Sequence, residues 1–409
     1  MMKINQLNKR LASLRKQTGK TNSECYPERA TEQNIKAKIS RSRISKKNED
    51  LKKSIKISDA DLAQEIGGIV YSPGVIIIKK QKKMDSIHGV YELSDSIKKS
   101  NLDSGLINKS FDNLLFCDTE TTGLSTSAGV VIFLLGISSI VDDSIVTEQI
   151  LLNGFSGEST MLNWFNSKLK PDSVLVSYNG KSFDVPLLAS RFRIHNIASP
   201  LYTLHHIDLV HWIRRMYKNT WENCRLSNAE IHCLGFKRQN DIPGSEAPEI
   251  WRSLLKQGDL SRLSGLLNHH YLDIVSLIGL LDVVNLKLIN NKLTDFDIYA
   301  TANYFYNNSL GDKAKKLLEQ REALLNEKGV YLLAKIYRRE KNWGRAVELW
   351  KSLHQRNHNQ ATEDLAKYHE HVRKDYNQAL LYANALAQRS KSNEIEYRIK
   401  RLQNKISKI

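Results

Sequence analysis

The stretch LLFCDTETTGL, residues 114–124, places two carboxylates directly after an apolar run. Leu114 to Cys117 has the composition of a buried strand, and Asp118 and Glu120 follow it two residues apart. Because side chains alternate along extended backbone, both carboxylates are expected on the same face. A carboxylate in apolar surroundings is costly unless hydrogen bonds and a positive charge compensate it. The pattern therefore predicts a positive partner, a side chain or a cation, beside these two acids.

Strands and helices follow one another around this stretch in a regular order. The apolar periodicity predicts three strands, a helix, a fourth strand and a further helix, over residues 114–118, 130–140, 144–152, 158–169, 173–180 and 183–195. Short loops join the first three strands, as in an antiparallel meander. This is the order of a ribonuclease H-like core, so the expected fold class is α/β, with a mixed sheet and flanking helices.

After residue 287 the sequence has helical periodicity alone. Small residues recur from Ala314 to Ala346 and from Ala346 to Ala379, with spacings of 32 and 33 residues. These spacings approximate the roughly 34-residue period of tetratricopeptide helix hairpins. The third unit departs from the pattern at His369, and an ordinary helical bundle is the alternative. We expect an all-α helical-repeat domain, which could bind a protein partner or guide a substrate.

The composition divides the chain into four parts. We expect a basic, disordered tail over 1–57, a small β-hairpin region and linker over 58–110, the ribonuclease H-like domain over 111–287 and the tetratricopeptide-like repeats over 295–409. The turn signal SPG at 72–74, between two β-branched runs, predicts the hairpin.

Positive charge is concentrated at the N-terminus. The 409-residue chain carries a net charge of +17, and residues 1–57 supply +11 of it, from sixteen Lys or Arg against five acidic residues. A basic protein favours polyanionic partners, of which nucleic acid is the commonest. The alternative is a tail that only improves solubility.

The cysteine pattern and the hydropathy argue against several classes of protein. The four cysteines form no CxxC pair and no zinc-ligand spacing, which also gives no sign of a disulfide framework. The apolar run VVIFLLGI at 130–137 is too short to span a membrane. The N-terminal MMKINQLNKR lacks the apolar core of a secretory signal. We therefore expect a reduced, cytoplasmic protein with no membrane partner.

Two further acids stand where they could join the first pair. Asp184 ends the segment YNGKSFD after the fourth predicted strand, and Asp273 lies on an apolar face of a long helix, one turn after His269. Each has a structural alternative, since Asp184 could cap a helix and Asp273 could pair with an arginine. Taken together with Asp118 and Glu120, they suit two divalent cations, Mg²⁺ or Mn²⁺, about 4 Å apart. Such a pair of ions matches phosphodiester hydrolysis.

Three segments carry a resemblance to a known family. DTET at 118–121, SYNGKSFDVPLL at 177–188 and HHYLD at 269–273 resemble the three motifs of the DEDD 3′–5′ exonuclease superfamily, in the same order. The middle segment is similar to that of the proofreading domain of family B DNA polymerases. HIDLV at 206–210 and LSNAEIHCLGFKRQNDIPG at 226–244 extend the resemblance to the YprB-like ribonuclease H-like exonucleases.

The resemblance implies an activity and the residues that carry it. It implies a metal-dependent 3′–5′ exonuclease that hydrolyses single-stranded or partly single-stranded nucleic acid by a two-metal mechanism. The implied metal ligands are Asp118, Glu120, Asp184 and Asp273. Two other functions remain open, a non-catalytic nucleic-acid-binding or repeat-based adaptor protein and a structure-specific endonuclease.

The general base is the point at which this chain departs from the superfamily pattern. The superfamily places a His five residues before the last Asp or a Tyr four residues before it, whereas this chain has Asn268 and His269. A histidine can exchange a proton near neutral pH. His269 is therefore the expected base, and His270 is the alternative.

Residues beside the acidic motifs are expected to bind the substrate. Those after the first motif would lie against the terminal nucleotide, and those in the second motif would contact its sugar or phosphate. The Asn-Gly pair is also a routine turn signal, and Asp208 could be either an additional acid or a helix cap. The residues implied are Thr121, Thr122, Gly123, Tyr178, Asn179 and Lys181.

Overall fold

The computed structural model describes residues 57–83, 86–92, 106, 113–123, 127, 129–142, 144–390 and 392–408. The predicted basic tail over 1–57 lies outside these ranges except for its last residue, as does most of the predicted linker.

Seven strands form one mixed sheet, and two short strands form a separate hairpin. In chain order the strands are β1 (Ile69–Ser72), β2 (Val75–Lys83), β3 (Ile87–His88), β4 (Tyr91–Glu92), β5 (Leu114–Thr121), β6 (Ile132–Val141), β7 (Ser144–Leu152), β8 (Val174–Ser177) and β9 (His205–Asp208). The strand order in the large sheet is β1-β2-β7-β6-β5-β8-β9, and β3 pairs with β4.

The centre of the sheet changes from antiparallel to parallel pairing at β5. β5 pairs antiparallel with β6 and parallel with β8, and β8 pairs parallel with β9. The carboxyl ends of β5, β8 and β9 therefore lie along the same edge of the sheet, where ligands bind in sheets of this kind. The predicted fourth strand ends at Ser177, earlier than residue 180, because Asn179 has a left-handed backbone with φ of 69°.

The hairpin predicted around residue 73 is present and extends the main sheet. Gly74 has φ of 76°, a conformation that glycine adopts without strain. β2 continues from this turn and pairs antiparallel with β7, from Val75 opposite Leu152 to Lys83 opposite Ser144. The hairpin therefore adds two strands to the edge beside β7.

Seven helices accompany the sheet and seven follow it in the described residues. None of these helices combines the length and hydropathy that crossing a membrane requires. They are α1 (Asp59–Glu65), α2 (Glu158–Lys168), α3 (Asp184–Ile194), α4 (Leu209–Tyr217), α5 (Leu226–Ala229), α6 (Ala247–Gln257), α7 (Leu263–Ile289), α8 (Ile298–Asn307), α9 (Gly311–Glu319), α10 (Glu327–Arg339), α11 (Trp343–Gln355), α12 (Asn359–Tyr368), α13 (Tyr376–Arg389) and α14 (Asn393–Ile406).

The side chains of β5 alternate between two hydrophobic cores. Leu114 and Phe116 join a core that also contains most of the apolar residues of α7 and extends into the C-terminal helices. Leu115 and Cys117 join a second core with α2, α3 and α6. A strand buried on both faces has a continuous apolar sequence, which explains why the run before Asp118 contains no polar residue.

Glycine at one position of β6 lets α7 lie close to the sheet. A Cβ atom at Gly136 would stand 2.2 Å from Cδ1 of Ile274 and 2.5 Å from Cε1 of His270, too near for any other residue. Gly136 is the partner of Asp118 across the β5–β6 ladder. The close packing therefore brings α7 against the part of β5 that carries the two carboxylates.

The C-terminal helices pack in sequential pairs, α8 with α9, α10 with α11 and α12 with α13. Ala314, Ala346 and Ala379 lie in the second helix of each pair and are fully buried. Trp212 of α4 packs against Phe305 of α8, so the core continues from the sheet into these helices. The predicted fold class is confirmed, and the tetratricopeptide assignment stays a prediction.

Candidate active site

The carboxyl-terminal half of β5 carries four consecutive, partly exposed polar residues, Asp118 to Thr121. By alternation Asp118 and Glu120 share the face of β5 that α7 covers, and Thr119 points to the opposite face. Thr119 Oγ1 donates a hydrogen bond to Oδ1 of Asp184. β5 therefore presents polar side chains on both faces of the sheet at its carboxyl edge.

Asp184 is the first residue of α3, and a tight turn after β8 brings it to this edge. Asp208 accepts hydrogen bonds from the backbone nitrogens of Asn179 at 2.7 Å and Lys181 at 3.0 Å. It also caps α4 by accepting from the nitrogen of Val210 at 3.2 Å. Asp208 therefore fixes the turn before Asp184. Of the two roles predicted for Asp208, an additional acid or a helix cap, it has the contacts of a helix cap.

α7 supplies His269 and Asp273 from one side of the helix. Nε2 of His269 lies 3.3 Å from Oδ2 of Asp273. One ring nitrogen of His269 and one carboxylate oxygen each of Glu120 and Asp273 lie within 4.8 Å of one another, an arrangement that could hold a metal ion. Three predicted site residues from two elements therefore converge.

His270, the alternative base, is fully buried against the sheet. Its Nδ1 accepts a hydrogen bond from Nε2 of Gln149 at 2.9 Å, and its Nε2 donates to the backbone carbonyl of Asp118 at 3.1 Å. Burial lowers the pKa of His270 to about 4, so the ring is neutral at pH 7. His270 therefore joins α7 to the sheet, and His269 is the histidine beside the carboxylates of Glu120 and Asp273.

The carboxyl groups at this edge resist ionisation. Burial, and then the charges of Asp273 and Asp184, raise the pKa of Glu120 to about 8. Burial raises the pKa of Asp184 to about 6, although the hydrogen bond from Thr119 acts in the opposite direction. Burial and the charges of the neighbouring carboxylates also raise the pKa of Asp118 well above its ordinary range. A cation that binds among these oxygens would therefore stabilise the ionised forms of the carboxyl groups.

One arginine, Arg238, lies at the edge of the cluster. Its Nη2 donates to Oδ1 of Asp273 and to Oε1 of Glu230, both at 2.5 Å, and its Nε donates to Oε2 of Glu230 at 2.9 Å. Its Nη1 lies 3.2 Å from Oδ2 of Asp241 and 3.2 Å from Nδ1 of His269. The alternative in which Asp273 pairs with an arginine is therefore realised.

Asp118, Glu120 and Asp184 differ from Asp273, which pairs with an arginine. Within the described ranges, no Lys or Arg nitrogen lies within 4.0 Å of a carboxylate oxygen of Asp118, Glu120 or Asp184. Carboxylate oxygens are the ligands that Mg²⁺ and Mn²⁺ prefer. A cation would therefore suit the three acids that have no basic partner, and Glu120, with His269 and Asp273, lies close enough to such a site to hold one.

The residues directly after Glu120 form the beginning of a loop. Thr121 Oγ1 donates to the carbonyl of Gly123 at 2.7 Å. Thr122 exchanges two hydrogen bonds with Val131, from its own nitrogen at 2.9 Å and to its Oγ1 at 3.0 Å. These bonds fix the loop and leave all three residues partly exposed beside the carboxylates.

Tyr178, Asn179 and Lys181 lie in the turn between β8 and α3. The hydroxyl of Tyr178 donates to the backbone carbonyl of Cys224 at 2.8 Å, so this end of the side chain stabilises the fold. Asn179 is partly exposed and Lys181 is exposed. Of the three, Lys181 has the side chain that is most accessible to a phosphate.

Sequence reasoning missed three residues that shape the site, Gly136, Arg238 and Asp241. Arg238 and Asp241 lie in the segment GFKRQND, after a π-helical turn over Glu230–Leu234. The only signal available was their inclusion in the segment 226–244, which resembles the family as a whole.

Comparisons with known proteins agree with this geometry. Residues 115–285 match a family model described as RNase_H superfamily. The chain is 32% identical over 346 residues to the protein called uncharacterized protein YprB from Bacillus subtilis (strain 168), a match that covers 78% of this chain and 83% of the relative.

Among solved structures, the chain resembles the family B DNA polymerase from the hyperthermophilic archaeon Pyrobaculum calidifontis. The TM-score is 0.34 at 14% sequence identity, over 68% of this chain. The chain matches 35% of the polymerase, about a third of its length. A likeness at this level says nothing about function.

Proposed function

The chain belongs to the ribonuclease H-like family that includes YprB, and we propose that it is a 3′–5′ exonuclease that requires divalent cations and degrades single-stranded or partly single-stranded nucleic acid. Ribonuclease H-like proteins are generally nucleases, and they use divalent metals. The 3′–5′ direction and the use of two ions come from the DEDD-like motifs.

The observation that carries the proposal is the uncompensated acidic cluster at the carboxyl edge of the sheet. Burial raises the pKa of Glu120 to about 8 and that of Asp184 to about 6, yet no Lys or Arg in the described residues pairs with either. A cluster of this kind with a purely structural role would destabilise the fold at neutral pH, and no interaction would offset that loss of stability. Bound Mg²⁺ or Mn²⁺ would supply the missing charge and stabilise the negative charge that gathers on a phosphate during hydrolysis.

The chain's own residues have separate roles in this proposal. Asp118, Glu120, Asp184 and Asp273 would hold the two cations. His269 would accept the proton that the attacking water loses, because its ring lies beside Glu120 and Asp273, two of the proposed cation ligands.

The residues next to the acids bind the end of the strand. Thr121, Thr122 and Gly123 would lie against the terminal nucleotide, and Asn179 and Lys181 would contact sugar or phosphate. Tyr178 would support that turn through its bond to Cys224, with its ring edge as the remaining contact.

The rest of the chain increases affinity or selects a target. The basic segment over 1–57 would attract the polyanionic strand without taking part in hydrolysis. The helical region over 295–409, which we propose to be tetratricopeptide-like, would bind a protein partner or guide the substrate.

A degradation assay tests the proposal directly. A 5′-labelled single strand should give a ladder that shortens with time in Mn²⁺, no products in EDTA, and no ladder when a circular strand replaces it. Asp118→Asn supplies the matched control, because it removes one charge and keeps the size of the side chain.

The other functions predict different products in the same assay. A single internal cut and cleavage of the circle would identify an endonuclease. A labelled strand that stays at full length, together with measurable binding, would identify a nucleic-acid-binding or adaptor protein. Matched DNA and RNA strands in parallel reactions define the nucleic acid that is degraded.

A further inference from the structure

A cavity of about 690 Å³ lies between the ribonuclease H-like region and the first of the C-terminal helices. Its lining comes from the end of α4 and the loop after it, from the start of α8 and the segment before it, and from the turn that precedes α10. Within the described part of the chain, none of the residues proposed to hold the cations or the strand end lines this cavity. Because its volume is typical of sites for small organic molecules, a ligand of that class would fit.

Hydrogen bonds between α4 and α8 fix the shape of the cavity. The backbone nitrogen of Asp297 donates to the carbonyl of Met216 at 2.9 Å, and Nδ2 of Asn219 donates to Oδ2 of Asp297 at 3.1 Å. Phe296 and Ile298, on either side of Asp297, are buried in the core that joins the sheet to the C-terminal helices. The cavity is therefore a feature of the packed fold, as most small-molecule sites are.

One wall of the cavity is a row of three nearly parallel rings, Tyr217, Trp221 and His232, which we call the aromatic row. The ring centroids of Tyr217 and Trp221 are 4.0 Å apart with an interplanar angle of 1°, and those of Trp221 and His232 are 4.7 Å apart at 21°. Tyr217 is buried and His232 is exposed, so the row leads from the core to the surface. Tyr299 adds a partly buried ring from α8. Aromatic walls of this kind favour a flat, conjugated ligand.

The charged groups around the cavity favour a ligand without a phosphate. Asp295 and Asp297 contribute carboxylates, and no Lys or Arg is among the lining residues in the described ranges. Lys287 pairs with Oδ1 of Asp295, whereas Asp297 has no Lys or Arg nitrogen within 4.0 Å in that part of the chain. Lys218 lies in the loop after α4, but its exposed side chain is not part of the lining. A phosphate in the cavity would therefore face carboxylates without a basic side chain to bind it.

The hydrogen-bonding groups of the lining define the polar edge of a suitable ligand. Carboxylate oxygens accept hydrogen bonds and do not donate them, so they select a ring that carries N–H donors. Asn219, Thr220, Thr294 and Asn326 are neutral, exposed side chains of the lining that can bind hydroxyl groups. An aminated heteroaromatic base joined to a sugar combines these features.

We propose that this cavity binds a nucleoside, without a phosphate, whose base carries an exocyclic amino group. The base would lie between the aromatic row and Tyr299, its amino group would donate to Asp295 or Asp297, and its sugar would face the exposed polar side chains. The site lies outside the acidic cluster, so its occupation requires neither a divalent cation nor cleavage of a strand. The inference therefore stands apart from the proposed exonuclease function.

Isothermal titration calorimetry of the full chain in EDTA tests the ligand class with three related probes. Guanosine should bind at one site, and inosine, which lacks the amino group, should bind about tenfold or more weakly because a hydrogen bond to a carboxylate is lost. Guanosine 5′-monophosphate should bind more weakly than guanosine because its phosphate faces the carboxylates. Equal affinity for guanosine and inosine, tighter binding of the monophosphate, or no binding of guanosine at its highest soluble concentration would overturn the proposal.

Two substitutions in the aromatic row test where guanosine binds. Trp221→Leu removes the central ring but keeps an apolar side chain, and it should raise the Kd for guanosine about fivefold or more. Circular dichroism checks the fold of this variant, and His232→Ala, which removes the exposed ring of the row, should weaken binding in the same direction. Tyr397→Ala removes an exposed ring of α14 outside the cavity and is the matched control, with no expected change. An unchanged Kd in both variants of the row would contradict the proposal.

Crystals soaked in 8-bromoguanosine locate the ligand directly. An anomalous bromine peak between Trp221 and Tyr299 would support the proposal, whereas a peak only at the acidic cluster would place the nucleoside in the proposed active site and overturn it. N-acetylarginine amide provides a second arm of the calorimetry, because a guanidinium is also flat and rich in N–H donors. Binding of this compound, but not of guanosine, would assign the cavity to a basic peptide and would also overturn the proposal.

Discussion

Buried acids have opposite surroundings in the C-terminal helices and at the carboxyl edge of the sheet, and the C-terminal helices show the ordinary case. The side chain of Glu370 is fully buried beside α14. It accepts hydrogen bonds from Arg401 at 2.8 Å and Lys405 at 3.0 Å, and Arg398 lies 3.4 Å away. Although burial alone would raise it, these partners lower the pKa of Glu370 below its ordinary value. The chain supplies the counter-charge itself.

At the carboxyl edge of the sheet, no Lys or Arg of the described residues pairs with Glu120. Glu120 is partly buried, but its neighbours are Asp273 and Asp184, and its pKa rises to about 8. Arg238 pairs with Asp273 only on one side and is shared with the buried Glu230. The difference indicates that Glu370 stabilises the fold, whereas Glu120 and its neighbours are arranged for a positive charge from outside the chain.

The largest expected effect concerns cleavage. Asp184→Asn should lower the rate of strand degradation by about 10³-fold or more, equivalent to about 4 kcal/mol, because one cation ligand is lost. Glu370→Gln makes the same kind of change at the compensated acid and should leave the rate within about twofold. Initial rates in Mn²⁺ measure both. Near-wild-type turnover by Asp184→Asn would remove this residue from the cation site.

Stability should change in opposite directions at the two acids. Glu120→Gln removes an uncompensated charge and should raise the free energy of unfolding of the metal-free protein by about 1–3 kcal/mol at pH 8, after allowance for solvent screening. Glu370→Gln removes a charged acceptor from three basic groups and should lower it by about 1–3 kcal/mol. Urea unfolding in EDTA provides both values. A loss of stability in Glu120→Gln would mean that the chain compensates this acid after all.

The pH dependence of stability should also differ between the acidic cluster and Glu370. The pKa values of Glu120, about 8, and Asp184, about 6, exceed the ordinary values of 4.5 and 3.8. The folded state therefore binds more protons than the unfolded state between about pH 4 and pH 8, and stability falls as pH rises through this range. The stabilisation from Glu370 is lost only as pH falls below about 4.5, outside that window.

Thermal unfolding from pH 5 to pH 8.5 measures this dependence. The decrease in melting temperature should be clear in EDTA and should shrink in saturating Mn²⁺, because bound cations stabilise the ionised carboxylates. A melting temperature that rises across this range in EDTA would contradict the raised pKa values of Glu120 and Asp184.

The smallest expected effect concerns the positive charge outside the described residues. Removal of residues 1–57 takes away +11 of the net charge of +17 and should weaken single-strand binding severalfold at moderate salt. The slope of log affinity against log salt should become less steep, by about 0.7 for each phosphate that the tail neutralises, while the maximal rate is unchanged. Fluorescence anisotropy at several salt concentrations measures the slope. An unchanged slope would mean that the tail does not bind the strand.

Much of the site was predictable because its signals are local. The apolar run before Asp118 and the alternation of a strand place Asp118 and Glu120 on one face. The helical spacing of His269 and Asp273 places those two side chains one turn apart. Each inference needs only the periodicity of a single element, and the structure brings Glu120, His269 and Asp273 together.

The electrostatic balance was not predictable because it depends on contacts between distant elements. Arg238 and Asp241 lie 35 and 28 residues from the α7 residues that they contact, with no periodic relation to them. The buried position of His270 involves Gln149, 121 residues away in β7. The pairing of β2 with β7 has the same origin, since a hairpin sequence does not specify the strand on which it docks.

An anomalous-difference map from crystals soaked in Mn²⁺ tests the central claim most directly. We predict peaks within about 2.5 Å of the carboxylate oxygens of Asp118, Glu120, Asp184 and Asp273. Glu370, with its own basic partners, should show none. A map without a peak among those four acids, or with one at Glu370, would contradict the view that the first cluster is arranged for cations and the second for the fold.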